Sequence, residues 1–255
     1  MIFLIFKISI LLNLFSSIRS NDLMRSAVDV MSEGYIQQAD ETYEKVRNLI
    51  LSDERKLTLE TEDADLIFSM PQENTGTAYI AEFYIPISPV ILFFNFWFEA
   101  ADTPKWNPNV ESIETILEIN KTIRILYQKV SNPQNSWIPM RDFVDLASYR
   151  CINETYYITL ESIQYDDISV PQGYLRGWNG PSGLVIKPIE SGSLVTWIFN
   201  TDMKMNGFFK VIMDQLFPSQ IETLVGLLKT YIKDQKRQDD EIKLRNFEPR
   251  KSILA

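Results

Sequence analysis

The pattern of apolar and polar residues predicts helical regions at both ends of the chain and short strands between them. Over residues 21–51 and 207–235, apolar side chains recur at intervals of three and four, the period of a helix with one buried face. Residues 77–87 alternate apolar and polar side chains, as a half-buried strand does. Similar segments predict about eight or nine mostly antiparallel strands, which with the helices indicate an α+β fold.

The turns between the predicted strands do not suggest a phosphate-binding loop. Residues 141–153 and 155–165 are predicted to form a hairpin around Asn153-Glu154. Residues 171–183 contain several glycines, but their spacing is not that of a dinucleotide-binding loop, and no helical pattern follows. This segment therefore predicts a strand, a turn and a further strand.

Residues 90–98 form a run that is apolar on nearly every side. Pro89 suits the first turn of a helix, and the run is too short to cross a bilayer. Because a helix that is apolar all round is normally buried, the run predicts a helix packed in the core. The alternative is a helix that closes one end of a cavity or contacts a membrane.

Pro218 and the charged C-terminal segment determine the predicted end of the domain. Because proline has no backbone N–H, it is expected to kink or break the second helical region near Phe217. Residues 236–255 are rich in charge and are predicted to be a solvated, disordered tail. One folded domain is therefore predicted over residues 21–235.

Residues 1–20 resemble a signal peptide, since two apolar runs separated by Lys7 are followed by small residues. An uncleaved membrane anchor and a mitochondrial leader are the alternatives. Glycosylation sequons at Asn120 and Asn153 permit a secretory route, whereas a single cysteine is more usual in the reducing cytosol. We give more weight to the signal-like N-terminal segment than to the cysteine count, and we expect the protein to enter the secretory pathway or to be secreted. A cytoplasmic or mitochondrial location would follow if this segment is not a signal.

The composition disfavours several classes of function. The chain has 34 acidic and 25 basic residues and a net charge of -9, which disfavours nucleic-acid binding and a polybasic membrane-binding mode. It contains no histidine, which removes the usual general base and the commonest metal ligand. Cys151 is the only cysteine, and its place in an alternating strand predicts a small core residue. We therefore expect no metal and no cofactor.

Four short motifs occur in a fixed order along the chain. Trp106-Asn107-Pro108-Asn109 precedes Arg141-Asp142-Phe143-Val144. Tyr174-Leu175-Arg176 with Asn179-Gly180-Pro181 follows, and Thr201-Asp202-Met203-Lys204 comes last. This ordered set, within about residues 33–233, resembles the START (StAR-related lipid transfer) domain and, within that family, the StAR-like sterol carriers.

The resemblance implies a helix-grip fold, in which a curved antiparallel sheet surrounds a lipid tunnel and a long C-terminal helix covers it. It also implies a monomer that binds one lipid non-covalently and transfers it between membranes through transient membrane contact. A sterol such as cholesterol is the first expected cargo, and a phospholipid, a ceramide-like lipid or another apolar ligand is the alternative.

Two other functions remain open at this point. One is a lipid sensor or interaction module that binds its ligand without transferring it. The other is an enzyme that would use Glu161 or Tyr157 in the same kind of cavity, although neither residue has a catalytic partner that the sequence identifies. We expect a protein that is not an enzyme.

The resemblance also indicates positions that contact the lipid. The subfamily has a buried acid and a buried arginine that orient the sterol hydroxyl, and these positions fall on Gln128 and Ala147. Losing both charges together can be neutral for stability, and the Gln128 amide can still donate and accept hydrogen bonds. Asn179 falls on a further polar position of the tunnel.

On the C-terminal helix, three residues fall on ligand-facing positions by resemblance: Leu216, Ser219 and Thr223. Ordinary core packing is an equally good account of Leu216. Gln128 and Asn179 can equally be satisfied polar groups of a strand. Arg141 and Asp142 are expected to anchor the start of a strand rather than to contact the ligand.

Overall fold

The computed structural model describes residues 32–131, 140–205 and 207–246. The predicted α+β class is confirmed, since helices pack on both faces of a largely antiparallel sheet. In chain order the elements are α1 over residues 32–51, β1 (Lys56–Glu60), β2 (Leu66–Gln72), β3 (Gly76–Ile85), α2 (Pro89–Trp97), a 3-10 helix (Ala100–Lys105), β4 (Val110–Asn120), β5 (Ile123–Val130), β6 (Met140–Ile152), β7 (Thr155–Ser162), β8 (Tyr174–Arg176), β9 (Trp178–Asn179), β10 (Ser182–Ile189), β11 (Gly192–Phe199), β12 (Thr201–Asp202) and α3 (Gly207–Asn246).

The main sheet has the strand order β1-β2-β3-β11-β10-β7-β6-β5-β4, and each neighbouring pair on this path is antiparallel. Strand β8 pairs with β6 in parallel, and β9 and β12 form a separate two-stranded sheet. The predicted hairpin between β6 and β7 is present. Its turn residues Asn153 and Glu154 both have positive φ, which suits the right-handed twist of the strands.

The two faces of the sheet are covered by different helices. On β5, Ile123, Ile125 and Tyr127 cluster with Ala39 of α1, on the face that we call the outer face. Alternate residues of the strands point to the opposite, inner face, where α2 and α3 pack. Because full burial of a Leu, Ile or Phe side chain gains about 1.5–3 kcal/mol, hydrophobic burial holds both helices there. The buried helix residues on this face are Leu92, Phe93, Trp97, Ile221, Val225, Leu228 and Ile232.

Helix α2 is buried on one side only, so the predicted core packing applies to that side, while contact of the helix with a membrane stays a prediction. Phe93 stacks on Tyr156, with ring centroids 4.5 Å apart, and Trp97 contacts Tyr149 at 4.8 Å. The opposite side of the helix is exposed: Val90, Ile91, Phe94 and Phe98, the last residue immediately following the helix. The buried side therefore covers part of the inner face of the sheet, and the opposite side leaves an apolar surface.

Helix α3 continues through Pro218, so of the kink or break expected near Phe217 the break does not occur. Proline offers no N–H to the carbonyl of Asp214 one turn earlier. The hydroxyl of Tyr79 donates a hydrogen bond to that carbonyl oxygen at 2.9 Å, and the Tyr79 ring packs on Phe217 at 5.0 Å between centroids. Strand β3 thus supplies the donor that the proline removes.

The C-terminal helix can be compared with the domain end predicted at residue 235. Helix α3 continues past residue 235 to Asn246, while the leader over residues 1–20 and the final residues 247–255 lie outside the described residues. Within the described ranges, no helix combines the length and apolar character needed to cross a membrane. The prediction that Cys151 is a core residue is wrong, because Cys151 lies next to the β6–β7 turn and is exposed.

Candidate functional site

A cavity of about 680 Å³ lies between the inner face of the sheet and the first half of α3. This volume is within the range of about 300–1,000 Å³ that is usual for small-molecule sites. Its wall includes the starts of β3 and β6, the ends of β5 and β11, and the segment that precedes β4. The apolar side chains in this wall are Tyr79, Pro108, Val110, Val130, Phe143, Leu160, Trp197, Ile198, Phe199, Met203, Met205, Phe217, Ile221, Leu224 and Leu227.

Polar side chains line the remaining wall of the cavity. A wall that combines apolar side chains with hydrogen-bonding groups suits a ligand that has an apolar body and a polar group. The polar lining residues are Thr75, Thr77, Asn107, Asn109, Gln128, Ser131, Arg141, Asn179, Ser182, Thr201, Asp202, Asp214, Gln220 and Thr223.

The family model for the START domain matches residues 36–219 of this chain. The chain belongs to the START domain family. It is 25% identical over 200 residues to the steroidogenic acute regulatory protein of Xenopus laevis, a match that covers 74% of this chain and 68% of the relative. It is 24% identical over 194 residues to the mitochondrial steroidogenic acute regulatory protein of Gallus gallus, covering 74% and 69%.

Two solved structures show the same fold. Human StAR-related lipid transfer protein 5 matches with a TM-score of 0.74 at 20% identity, over 80% of this chain and 99% of that protein. Human STARD10 matches with a TM-score of 0.63 at 15% identity, over 84% and 89%. The family and the helix-grip fold predicted from the sequence motifs are therefore confirmed.

This START domain places the residues indicated by the sequence in two different surroundings. Gln128, Asn179 and Thr223 line the cavity. The other three do not line it: Ala147, Leu216 and Ser219. Contact of any of the six with a lipid remains a prediction.

Ala147 is buried in the hydrophobic cluster beneath α2, so its inner-face position is filled by neighbouring side chains. On α3, Leu216 is 47% exposed and Ser219 is also exposed. The Ser219 hydroxyl donates to the Leu216 carbonyl at 2.8 Å, which is a local bond within the helix. These three side chains therefore lie outside the cavity wall for identifiable packing reasons.

The position opposite Ala147 on β5 carries a cation that the sequence comparison did not indicate. Arg124 pairs with Ala147 across the sheet, lies 3.9 Å from the centre of the Trp97 ring and donates to the Trp97 carbonyl at 2.6 Å. Burial lowers the pKa of its guanidinium. Because Arg124 does not line the cavity and caps the C-terminal end of α2, its clear role is to hold that helix.

Asp145 is a further inner-face residue that the sequence reasoning missed. It is 1% exposed and accepts hydrogen bonds from the Ser162 hydroxyl at 2.6 Å and from Nδ2 of Asn179 at 2.9 Å. Burial raises its pKa to about 6, against the opposing effects of Ser162, Asn179 and Arg176. The available signal was its position between Phe143 and Ala147, where strand alternation places a carboxylate on the inner face.

Arg141 and Asp142 hold the start of β6 in place. Asp142 is fully buried and accepts two hydrogen bonds from Arg176, from Nε at 3.0 Å and from Nη2 at 2.9 Å. It also accepts one from the Tyr127 hydroxyl at 3.1 Å. Burial, followed by the effect of Asp142, raises the pKa of Tyr127 to about 12. Arg141 donates from Nε to the Met203 carbonyl at 2.9 Å and also lines the cavity.

The two residues considered for an enzyme both lie on the outer face. Glu161 accepts hydrogen bonds from Thr42 and Lys45 of α1, each at 2.9 Å. The Tyr157 ring packs edge-on against Tyr43 of the same helix at 5.3 Å. Neither side chain lines the cavity, so neither is placed to act on a molecule bound there.

Proposed function

We propose that this START domain binds one lipid non-covalently in the 680 Å³ cavity and carries it between membranes, with a sterol as the first candidate cargo. The cavity between the sheet and α3 is the observation that carries the proposal. Membership in a lipid-binding and lipid-transfer family supports it, as do relatives named steroidogenic acute regulatory proteins. These relatives, at 25% identity or less, are the basis for naming a sterol as the first candidate.

Physical considerations suit exchange with a membrane. Removing roughly 400 Å² of apolar lipid surface from water gains about 10 kcal/mol at about 25 cal/mol per Å². The same surface is also out of water in a bilayer, so the net free energy of exchange between bilayer and cavity can be close to zero. Uptake and release then need no bond chemistry, and we propose a carrier rather than an enzyme.

The polar part of the cavity wall favours a lipid with a small polar group. Gln128, Asn179 and Thr201 present amide and hydroxyl groups, which suit a single hydroxyl. Among the described residues, the charged side chains of the wall are one cation, Arg141, and two anions, Asp202 and Asp214, so this wall has no excess of positive charge for an anionic headgroup. No hydrogen bond joins the Gln128 side chain to another described residue, so its amide is available to a ligand. These groups are the reason for placing a sterol before a phospholipid.

We also propose that the exposed side of α2 makes the transient membrane contact. The helix Pro89–Trp97 carries no charged residue, and its exposed side chains with Phe98 present on the order of 400 Å² of apolar surface. A stable dimer needs about 800 Å² per partner, so the patch is small for self-association and sufficient for a shallow lipid contact. The protein would then act as a monomer.

For localisation, we propose entry into the secretory pathway. Asn120 at the end of β4 and Asn153 in the β6–β7 turn are both exposed, so glycosyltransferases could reach either sequon. Both lie at the same end of the sheet as α2, and glycans there would flank the proposed membrane contact. A glycosidase-sensitive mass on protein from a secretory host would support this route, and an unmodified cytosolic protein would contradict it.

The experiment that tests the function is native mass spectrometry of the full chain purified from cells. One sterol per protein would support the sterol proposal. A bound phospholipid or fatty acid would preserve lipid binding and overturn the sterol assignment. A folded protein that carries no lipid and takes none up on titration would contradict the proposal.

Transfer is separated from sensing by a second measurement with donor and acceptor vesicles. A carrier accelerates the movement of a fluorescent sterol from donor to acceptor vesicles in proportion to protein concentration. Stoichiometric binding without acceleration would favour the alternative function, a lipid sensor or interaction module.

A further inference from the structure

Four side chains beside the cavity form one connected hydrogen-bond network. Ser162 donates its hydroxyl to Oδ1 of Asp145 at 2.6 Å and accepts the backbone N–H of Asn179 at 2.8 Å. Asn179 donates from Nδ2 to Oδ2 of Asp145 at 2.9 Å, and its Oδ1 accepts the Thr201 hydroxyl at 2.7 Å. Asn179 and Thr201 line the cavity, whereas Asp145 and Ser162 lie behind them.

This network determines which way the Asn179 amide faces. An ionised carboxylate only accepts hydrogen bonds, so Asp145 requires the nitrogen of the amide and not its oxygen. The Thr201 hydroxyl, on the other side, donates to the amide oxygen. One N–H of Nδ2 and one lone pair of Oδ1 then remain for a bound molecule, in an orientation that the protein fixes before binding.

Burial of the ionised Asp145 carboxylate at this position lowers the stability of the folded state. Burying a carboxylate without a direct ion pair is unfavourable, and burial accordingly raises the pKa of Asp145 to about 6. The facing residue of β5 is Leu126, and β7 and β9 contribute Ser162 and Asn179, none of which titrates. Arg176 of β8 is the nearby cation, and its guanidinium is bonded to Asp142. Groups that are unfavourable for stability often lie at functional sites, and Asp145 contacts the cavity residue Asn179. We therefore expect its role to lie in ligand binding.

We propose that Asp145 is a positioning residue that orients the Asn179 amide, and that the oriented amide with Thr201 is the subsite for the hydroxyl group of the bound lipid. The proposal rests on the proposed lipid-binding function and adds which residues hold the hydroxyl of the cargo and which buried carboxylate orients them. Asp145 acts through Asn179 and does not itself line the cavity.

The first test uses the unmodified full chain and pairs of lipids that differ by one hydroxyl. Displacement of 22-NBD-cholesterol compares cholesterol with cholest-5-ene, and displacement of NBD-stearate compares 1-dodecanol with dodecane. At pH 7.5 we expect the hydroxyl-bearing member of a bound pair to be preferred about threefold to tenfold, the effect of one net hydrogen bond. At pH 5 we expect the preference to fall towards one, because a protonated Asp145 can donate as well as accept and no longer fixes the amide.

Variants then distinguish a role of Asp145 in orienting the Asn179 amide from a role in stabilising the fold alone. Asn179→Leu should abolish the hydroxyl preference at both pH values, since it removes the amide. Asp145→Asn should reduce the preference and make it independent of pH. Asp65→Asn is the matched control, because Asp65 is also buried but pairs with Lys229 outside the cavity wall. It should retain both the preference and its pH dependence.

The outcomes distinguish this inference from the function on which it rests. Binding of both members of a pair with equal affinity at pH 7.5 would overturn the hydroxyl subsite and leave lipid binding intact. A preference that persists unchanged in Asn179→Leu, or that does not change with pH in the native protein, would also overturn it. These two measurements do not depend on whether Asp145→Asn folds. Failure of both probes to bind would contradict the lipid-binding function itself.

Discussion

Asp145 is a buried carboxylate whose charge should lower the stability of the folded domain at neutral pH. Burial raises its pKa from 3.8 to about 6, so the folded protein binds a proton there more tightly than the unfolded chain does. The stabilisation from this proton is fully present below about pH 4 and is lost as the pH rises through about 6. Above that pH, the folded state carries the full cost of the buried charge.

We therefore expect Asp145→Asn to gain stability relative to the native protein as the pH rises from about 4.5 to 7.5. The relative gain over this range should be about 2 kcal/mol, because a shift of roughly two pKa units is worth about 3 kcal/mol in total at 1.36 kcal/mol each and about a third of it is already present at pH 4.5. Hydrogen bonds lost in the variant are lost at every pH and do not produce this slope. Urea unfolding of both proteins across the pH range measures it, and a difference that is constant with pH would contradict the prediction.

Two kinds of information in the sequence could indicate ligand-contacting residues: strand alternation and family resemblance. Gln128 and Asn179 were indicated by resemblance, and both line the cavity. Ala147 was indicated in the same way, but the side chains of α2 and its neighbours fill that position. Asp145 was not indicated, because its link to Ser162 and Asn179 joins strands that are distant in sequence.

Tyr79 and Pro218 show how a strand side chain can replace a backbone hydrogen bond that a helix lacks. The break expected at Pro218 does not occur, since a donor from β3 bonds the carbonyl that proline leaves unpaired. Sequence periodicity predicts where one helix begins and ends. It cannot predict a hydrogen bond to that helix from a strand more than a hundred residues earlier in the chain.

We expect Tyr79→Phe to destabilise the domain by about 1–2 kcal/mol, because it leaves the Asp214 carbonyl without its donor. In a Pro218→Ala background, the new N–H of residue 218 can bond that carbonyl, so the same change should cost much less. Urea unfolding of the native protein, both single variants and the double variant gives the coupling energy, expected near 1 kcal/mol. Additive effects would show that the Tyr79 hydroxyl does not substitute for the missing helical bond.

Helix α2 provides the second prediction at this scale, since Phe94 and Phe98 are 48% and 58% exposed on an uncharged surface. Replacing both with Glu should weaken binding to neutral phosphatidylcholine vesicles at least tenfold, because the charges oppose insertion. Leu51→Glu is the control, since Leu51 is more exposed but lies at the end of α1. Vesicle sedimentation measures the effect, and equal losses in the two variants would remove α2 from the membrane contact.

For the whole molecule, the ordered motifs and the alternating segments were sufficient to predict the START fold. They could not predict how much of the inner face remains empty. That depends on which side chains fill it, and the aromatic residues beneath α2 occupy one end while the space beside the first half of α3 stays open. Packing of this kind depends on rotamers and helix placement, neither of which periodicity specifies.

A cavity-filling substitution tests whether this space is where the lipid binds. A bound ligand at a hundred times its Kd stabilises a protein by about 2.7 kcal/mol, which corresponds to a rise in Tm of roughly 5–10 °C for a domain of this size. Thr223 and the adjacent Glu222 are both exposed on α3, but Thr223 lines the cavity and Glu222 does not. With the lipid identified by mass spectrometry, Thr223→Trp should lose more than half of the ligand-induced rise, because the indole occupies ligand space. Glu222→Trp should keep the full rise, and a full rise in both variants would place the lipid elsewhere.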